Sequence, residues 1–194
     1  TPETVASGGT YTATGKTTFA PSTGHTDDSY SFESWYADIG QSEVYTGNKV
    51  NTVGIALPAT GLTTIDLNFM GQDLKQRGTS QYFTSPTAQG TNGIFAAVNG
   101  ALIVNGSPVA LVTAANININ RNMTSEAVVG SNIKPEIYEG RIVVDGDFST
   151  LYQDGTFAGY FDTEAEISLV IALTANNLPN SDFMSFTLPR LKLS

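Results

Sequence analysis

Cysteine is absent from this 194-residue chain. No disulfide can supplement its core, and no thiolate metal centre can form. There is one histidine, His25, inside Gly24-His25-Thr26-Asp27-Asp28. That stretch reads as a loop with a solvated side chain, and it makes a poor base for any nucleophilic triad. Charge is scarce: 14% of residues are Asp, Glu, Lys or Arg, with 18 acids against 9 bases. The bases are scattered through both halves of the chain, and a nucleic-acid backbone is gripped by clustered Lys and Arg. Ordinary DNA or RNA binding is therefore excluded. No apolar run reaches the length of a membrane-crossing helix: Ile167 to Leu173 and Gly93 to Val104 are short or interrupted. No membrane partner is expected.

Hydrophobic residues still make up 40% of the sequence, and Thr, Val and Ile recur throughout. This composition builds a core from strands rather than helices. Alternation dominates the pattern. Thr64 to Met70 sets Ile65, Leu67 and Phe69 on a dry face, with Thr64, Asp66 and Asn68 on a wet one. Ala115 to Arg121 turns isoleucines one way and Asn116 and Asn118 the other. Arg141 to Tyr152 places Ile142, Val144 and Phe148 opposite Asp145, Asp147 and Ser149. Ala165 to Ala175 is more uniformly apolar and reads as a strand buried on both sides. Further strands are expected at Tyr11–Phe19, Ser29–Ala37, Glu43–Leu57, Leu102–Val104, Val109–Thr113 and Met184–Lys192. Pro58-Ala59-Thr60-Gly61 and the Asn105-Gly106 pair supply hairpin turns.

One helix is expected, with Asp154 capping Gly155 to Phe161 and Phe157, Tyr160 and Phe161 forming its apolar stripe. The fold class is thus all-β with one short flanking α-helix, expected as a single domain over 1–194. Residues 71–93 read as a long loop carrying Tyr82-Phe83 at its centre. A loop of that length needs a reason, and an exposed aromatic pair suggests an arm that docks on a neighbouring subunit. A faint echo links Val50 to Asp73 with Val109 to Asp154: each is a pair of strands ending in Gln-Asp.

Catalytic patterns do not assemble. Gly9 to Thr17 glances at a phosphate-binding loop but has five residues between its glycines instead of four. The acid pairs Asp27/Asp28, Glu136/Glu139, Asp145/Asp147 and Glu164/Glu166 carry no sign of converging across a cleft. No enzyme and no cofactor is expected.

The block Ser31-Phe32-Glu33-Ser34-Trp35-Tyr36 through Asn51 resembles the tail tube proteins of long-tailed, siphophage-type bacteriophages. So do Leu57 to Gly61, Asn68 to Asp73, Val128 to Gly140 and Phe186 to Lys192. The likeness runs from about residue 30 onward. Residues 1–28 carry little of it and read as an N-terminal arm, an extra strand, or both. The resemblance implies a β-sandwich or half-barrel whose strands join an inter-subunit β-barrel. It implies hexameric rings stacked into a tube that conducts phage DNA during ejection. Implied partners are other copies of the chain, the tape measure protein in the lumen, the tail terminator and distal tail proteins at the ends, and double-stranded DNA in transit without specific binding. Assembly in the host cytoplasm and a place in the virion follow. On this reading Thr64, Asp66, Asn68, Asn116, Asn118, Asp145, Asp147 and Ser149 face the lumen. Trp35, Tyr45, Arg77, Tyr82 and Phe83 make contacts between subunits or rings. Arg121 and Arg141, at strand ends, are the bases to watch, because a base on that wall would hold passing phosphate.

Two other readings stand beside it. A carbohydrate-binding or adhesin-type β-sandwich has similar composition but needs an aromatic platform, and Trp35 is the single tryptophan. A tail-tip or sheathed-tail tube protein would share the fold.

Overall fold

The computed structural model describes residues 4–6, 10–12, 28–86, 88, 90, 93–109, 112–151, 154–176, 178 and 181–194. Antiparallel strands dominate, as the alternating sequence requires. A small hairpin pairs β1 (Thr4–Ala6) with β2 (Thr10–Thr12). There follow β3 (Tyr30–Tyr36), β4 (Gln41–Leu57), β5 (Thr64–Met70), β6 (Asp73–Gly78), β7 (Gly100–Val104), β8 (Ser107–Val109), β9 (Val112–Asn120) and β10 (Val143–Thr150). Helix α1 (Thr156–Asp162) and strands β11 (Ile167–Thr174) and β12 (Phe183–Leu191) complete the order. Six strands, β3 to β6 with β9 and β10, form one sheet. The other runs β12-β11-β7-β8.

Strand β4 has 17 residues and changes neighbours halfway. Its first part, to Thr46, lies between β3 and β6; its second part, from Lys49, lies between β5 and β9. The change falls at Gly47, whose φ of +65° suits glycine, and where a Cβ would sit 2.2 Å from the Gln72 side chain. Asn48, buried beside it, donates from Nδ2 to the carbonyls of Tyr30 and Tyr45, each at 2.9 Å. Register breaks in the β3 and β6 pairings here mark bulges that bend the strand.

The core lies between the sheets. Ile55 of β4 and Ala115 and Ile117 of β9 pack with Leu102, Val104, Ile167, Leu169, Ile171 and Leu173 of the second sheet. Phe148 and Phe157 meet edge to face at 5.5 Å and seat α1 on the flank. A second buried patch forms where the long 121–142 connection folds back. Met123 and Ile137 are buried there, and the Lys49 ammonium donates to the Ile137 carbonyl at 3.5 Å and lies 3.7 Å from Glu136.

Several expectations need correcting. The 71–93 stretch is not structureless: Asp73–Gly78 is β6, since β4 needs a partner on that side. Val109–Thr113 is not one strand. Val109 ends β8 and Val112 begins β9, with residues 110 and 111 outside the described residues. Strand β11 is not buried on both sides; one face is buried and the other, with Ser168 and Val170, is half covered. Of the Tyr11–Phe19 strand, residues 13–19 lie outside the described residues, as does His25. The helix starts at Thr156, and the Asp154 carboxylate accepts the Thr156 N–H at 2.9 Å from one position before the cap residue, Gly155. The Asn105-Gly106 turn is as read: both have positive φ, 48° and 79°, and Val104 faces Ser107.

Leu173 is fully buried in this core. Leu173→Ala is expected to cost the unassembled subunit about 2–5 kcal/mol, read as a lower urea midpoint with an unchanged slope.

Candidate assembly surface

Strands β5, β4, β9 and β10 lie side by side, and their registers build one polar face in rows. Thr64, Ala56, Asn116 and Asp147 form one row; Asp66, Gly54, Asn118 and Asp145 the next; Asn68, Thr52, Asn120 and Val143 the third. Ser149 continues the face along β10. Period two does this: each strand alternates, and the register keeps the polar positions of all four in phase. Asn116 donates to Asp147 at 2.9 Å and Asn118 to Asp145 at 3.2 Å, locking β9 to β10 on this face. At Gly146 a Cβ would lie 2.2 Å from the Asn116 carbonyl oxygen, so the strands approach closely. The eight expected lumen residues therefore share one continuous surface. Of its two inner strands, β4 contributes the small residues Ala56, Gly54 and Thr52.

Three acids and no base stand on this surface among the described residues. Of the two arginines at strand ends, Arg121 is drawn away from it. Arg121 pairs with Glu139 through Nη2 and donates from Nη1 to the Val50 carbonyl at 3.2 Å. Arg141 lies exposed two residues before β10, its carbonyl accepting from the Asn122 amide at 2.9 Å.

The opposite face is apolar, but the second sheet covers only its middle. Ile55 and Ile117 are buried, whereas Ile65 and Leu67 on β5 are 47% and 53% exposed, and Val144 on β10 is 47% exposed. The expectation of a dry face along β5 and the start of β10 thus fails for the isolated chain. The second sheet is too narrow to reach them. On the β10 flank the sheets diverge around a cavity of about 510 Å³, lined by Val144, Phe148, Leu188 and Leu191 among others.

The two sheets end differently. Strands β5 and β10 pair on one side only and contain neither proline, lysine nor arginine. The outer edges of the second sheet carry proline on both strands, Pro108 in β8 and Pro189 in β12. At β12 a register break opposite Ile167/Leu169 bends the strand, and Arg190 binds Glu166 through two hydrogen bonds of 2.9 and 2.7 Å. Proline and a bulge discourage pairing, so this sheet is blunted, whereas β5 and β10 have no proline and keep their outer backbone groups open.

The expected contact residues divide between two places. On one face of β3–β4–β6, the Glu43 carboxylate accepts from the Tyr45 hydroxyl at 2.7 Å and from Arg77 Nε at 3.0 Å. Those bonds, the tyrosine's first and the arginine's second, hold the Glu43 carboxyl below its ordinary value, while Glu43 pushes the Tyr45 phenol up. Trp35, half-buried, shares the other face with Glu33. There the Glu33 carboxylate accepts the N–H groups of Tyr82 and Phe83, and the two rings stand at right angles 5.0 Å apart. The importance of Glu33, Ser42, Asn48 and Lys49 was not read from the sequence.

No group of acids or histidine suited to a metal ion occurs among the described residues. Asp145 and Asp147 meet asparagine amides; Glu136 and Glu139 meet Lys49 and Arg121; Glu164 and Glu166 meet Lys192 and Arg190. Each of these acids has an amide or a base as its partner, whereas a glycosidase needs two carboxyl groups converging on one bond. What the geometry defines is a structural β-protein whose working parts are a sheet face and the sheet's edges.

The chain belongs to the phage tail tube protein family, whose sequence model matches residues 3–186. No curated protein matches it. It is accordingly a structural, non-enzymatic component of the virion that self-assembles into a tube with other tail components. The match begins well before residue 28, so the N-terminal stretch belongs to the family pattern that the residues alone placed from about 30 onward.

The Glu43 cluster gives a titration with a definite sign. A carboxyl held below the ordinary 4.5 contributes stability that is present above that value and lost as pH falls through the lowered midpoint. Carbon-detected NMR titration should find the Glu43 midpoint under 4.5, and Tyr45→Phe and Arg77→Ala should each raise it. A midpoint unmoved in both variants would mean that neither bond holds the carboxyl down.

Proposed function

We propose that this subunit forms hexameric rings that stack into the tail tube of a siphophage-type particle, and that the tube conducts double-stranded DNA during ejection. The observation that carries this reading is the four-stranded β5-β4-β9-β10 sheet: polar and base-free on one face, open at both edges, and apolar but uncovered at its margins. Pairing β5 of one copy with β10 of the next would satisfy both edges and bury Ile65, Leu67 and Val144. Six copies would give roughly 24 strands, and at ~4.8 Å spacing and ~40° tilt the backbone ring is about 45–50 Å across. A hydrated duplex fits inside.

Thr64, Asp66, Asn68, Asn116, Asn118, Asp145, Asp147 and Ser149 then face the lumen. Their charge acts on passing phosphate because it lies within the ~8–10 Å screening length of physiological salt. Before DNA passes, the tape measure protein occupies the same space. Tail terminator and distal tail proteins cap the ends, and assembly takes place in the host cytoplasm. Chain 1–194 acts as a single domain, with residues 1–28 an N-terminal arm or extra strand. Tyr82, Phe83, Trp35, Arg77 and Tyr45 serve contacts between subunits and rings.

Negative-stain microscopy of the purified protein tests the assembly: rings or hollow tubes are expected, and a strictly monomeric protein at high concentration, unchanged by seeding with tails, would sink the reading. The wall is tested separately. Asp145→Lys with Asp147→Lys should leave tubes intact and slow DNA ejection from reconstituted particles. Unchanged ejection would remove the electrostatic role from this face.

A further inference from the structure

Glu33 sits in the middle of β3 and is met by donors from two distant parts of the chain. Its Oε1 accepts from Ser42 Oγ at 2.5 Å and from the Tyr82 N–H at 2.7 Å; its Oε2 accepts from the Phe83 N–H at 2.9 Å. Ser42 is 1% exposed, so the far anchor is rigid. Two consecutive backbone N–H groups around one carboxylate form a small anion cradle, and charge-assisted bonds of this kind are stronger than neutral ones. Glu43 and Arg77 lie on the opposite face of these strands and cannot replace Glu33.

The arrangement fixes a segment that gains little by being fixed. Tyr82 and Phe83 are 47% and 41% exposed, their rings resting on each other edge to face. Ordering them costs conformational entropy that burial within the subunit scarcely offsets. A loop that needed only to shield its aromatics would turn them inward. A loop that needed only to satisfy two N–H groups could leave them to water. Neither need accounts for an ionised carboxylate pinned by a buried serine.

We propose that Glu33 is a latch that preorganises residues 79–86 in the free subunit, holding Tyr82 and Phe83 out as the knob that a second copy of the chain receives when rings stack. The docking half of this statement rests on the reading of the loop given under Proposed function; the latch half stands on the hydrogen bonds alone. Preorganisation lowers the entropy cost of association, so losing the latch slows stacking without removing the knob.

Three variants separate the halves: Glu33→Ala, Glu33→Gln, and Tyr82→Ala with Phe83→Ala. Hydrogen exchange of the 79–86 segment is measured in the unassembled subunit, and tube elongation is followed by light scattering from added seeds. Exchange at Tyr82 and Phe83 should rise roughly 10–100-fold in Glu33→Ala, as expected when charge-assisted hydrogen bonds are lost. Glu33→Gln, which keeps one carbonyl acceptor, should fall between. Elongation should slow in the same order, and the double alanine variant should not elongate. Unchanged exchange in a folded Glu33→Ala protein overturns the latch. Faster exchange with normal elongation, while the double alanine variant is blocked, overturns the positioning role. Normal elongation of the double alanine variant overturns docking by the knob, and the exchange result then decides the latch by itself. Should Glu33→Ala fail to fold, Ser42→Ala and Glu33→Gln carry the same comparison.

Discussion

Backbone N–H and C=O groups inside a protein have to be paired, and β4 is where this chain meets that requirement on both sides along most of a 17-residue strand. No single partner is long enough to follow it. The chain supplies four, two on each half, and bends β4 between them at Gly47 and Asn48. Everything else takes its place from that strand. The second half carries the broad sheet with the polar face. The first half carries a narrower three-stranded extension bearing Glu33, Glu43 and the aromatic pair. The switch itself is held from several directions: Gln72 donates its N–H to the Thr46 carbonyl, accepts from Lys134 N–H, and reaches Pro135 with its amide, so the 121–142 connection is tied to the bend.

From this follows an asymmetry between the two sheets. A sandwich closes well when both sheets are equally wide, and here they are not. The four-strand sheet covers the middle of its partner and leaves apolar residues bare along β5 and β10. Uncovered apolar margins beside unprotected strand edges are a liability in a monomer. The chain blunts the edges of the narrower sheet with Pro108, Pro189 and the Glu166–Arg190 pair, yet gives β5 and β10 of the wider sheet neither proline nor a base. Selective protection is the mark of edges meant to be filled, and membership in a tube-forming family gives that pattern a use.

Strand positions and the phase of each strand were legible in the sequence because a period of two is written residue by residue. Asp66, Asn116 and Asp145 could be assigned to a wet face from their immediate neighbours. The hairpin at Asn105-Gly106 was legible for the same local reason. What sequence alone withheld was set by distant partners. Strand β6 looked like loop because Asp73-Leu74-Lys75-Gln76-Arg77 has poor strand composition, and it is a strand because β4 offers an empty edge. Ile65, Leu67 and Val144 looked buried because alternation reports which face a residue occupies, not whether anything covers that face. Glu33 looked like one more solvated acid, since its partners lie 9 and about 50 residues away in the chain.

A surplus of acid over base is often treated as a property of the whole surface, but what matters along a wall is where the bases go. In this chain Lys49, Arg77, Arg121, Arg190 and Lys192 are each met by a glutamate, and none of these pairs stands on the polar face. Two of the three aspartates of that face, Asp145 and Asp147, are met instead by asparagine amides. An amide satisfies a carboxylate's lone pairs and fixes its geometry while leaving its charge in place; a lysine would cancel the charge and leave a cation free to exchange onto phosphate. Hydrogen bonding without neutralisation is therefore the local chemistry that suits a surface meant to repel a polyanion rather than to hold it. Asn116 and Asn118 are as much part of that wall as Asp145 and Asp147.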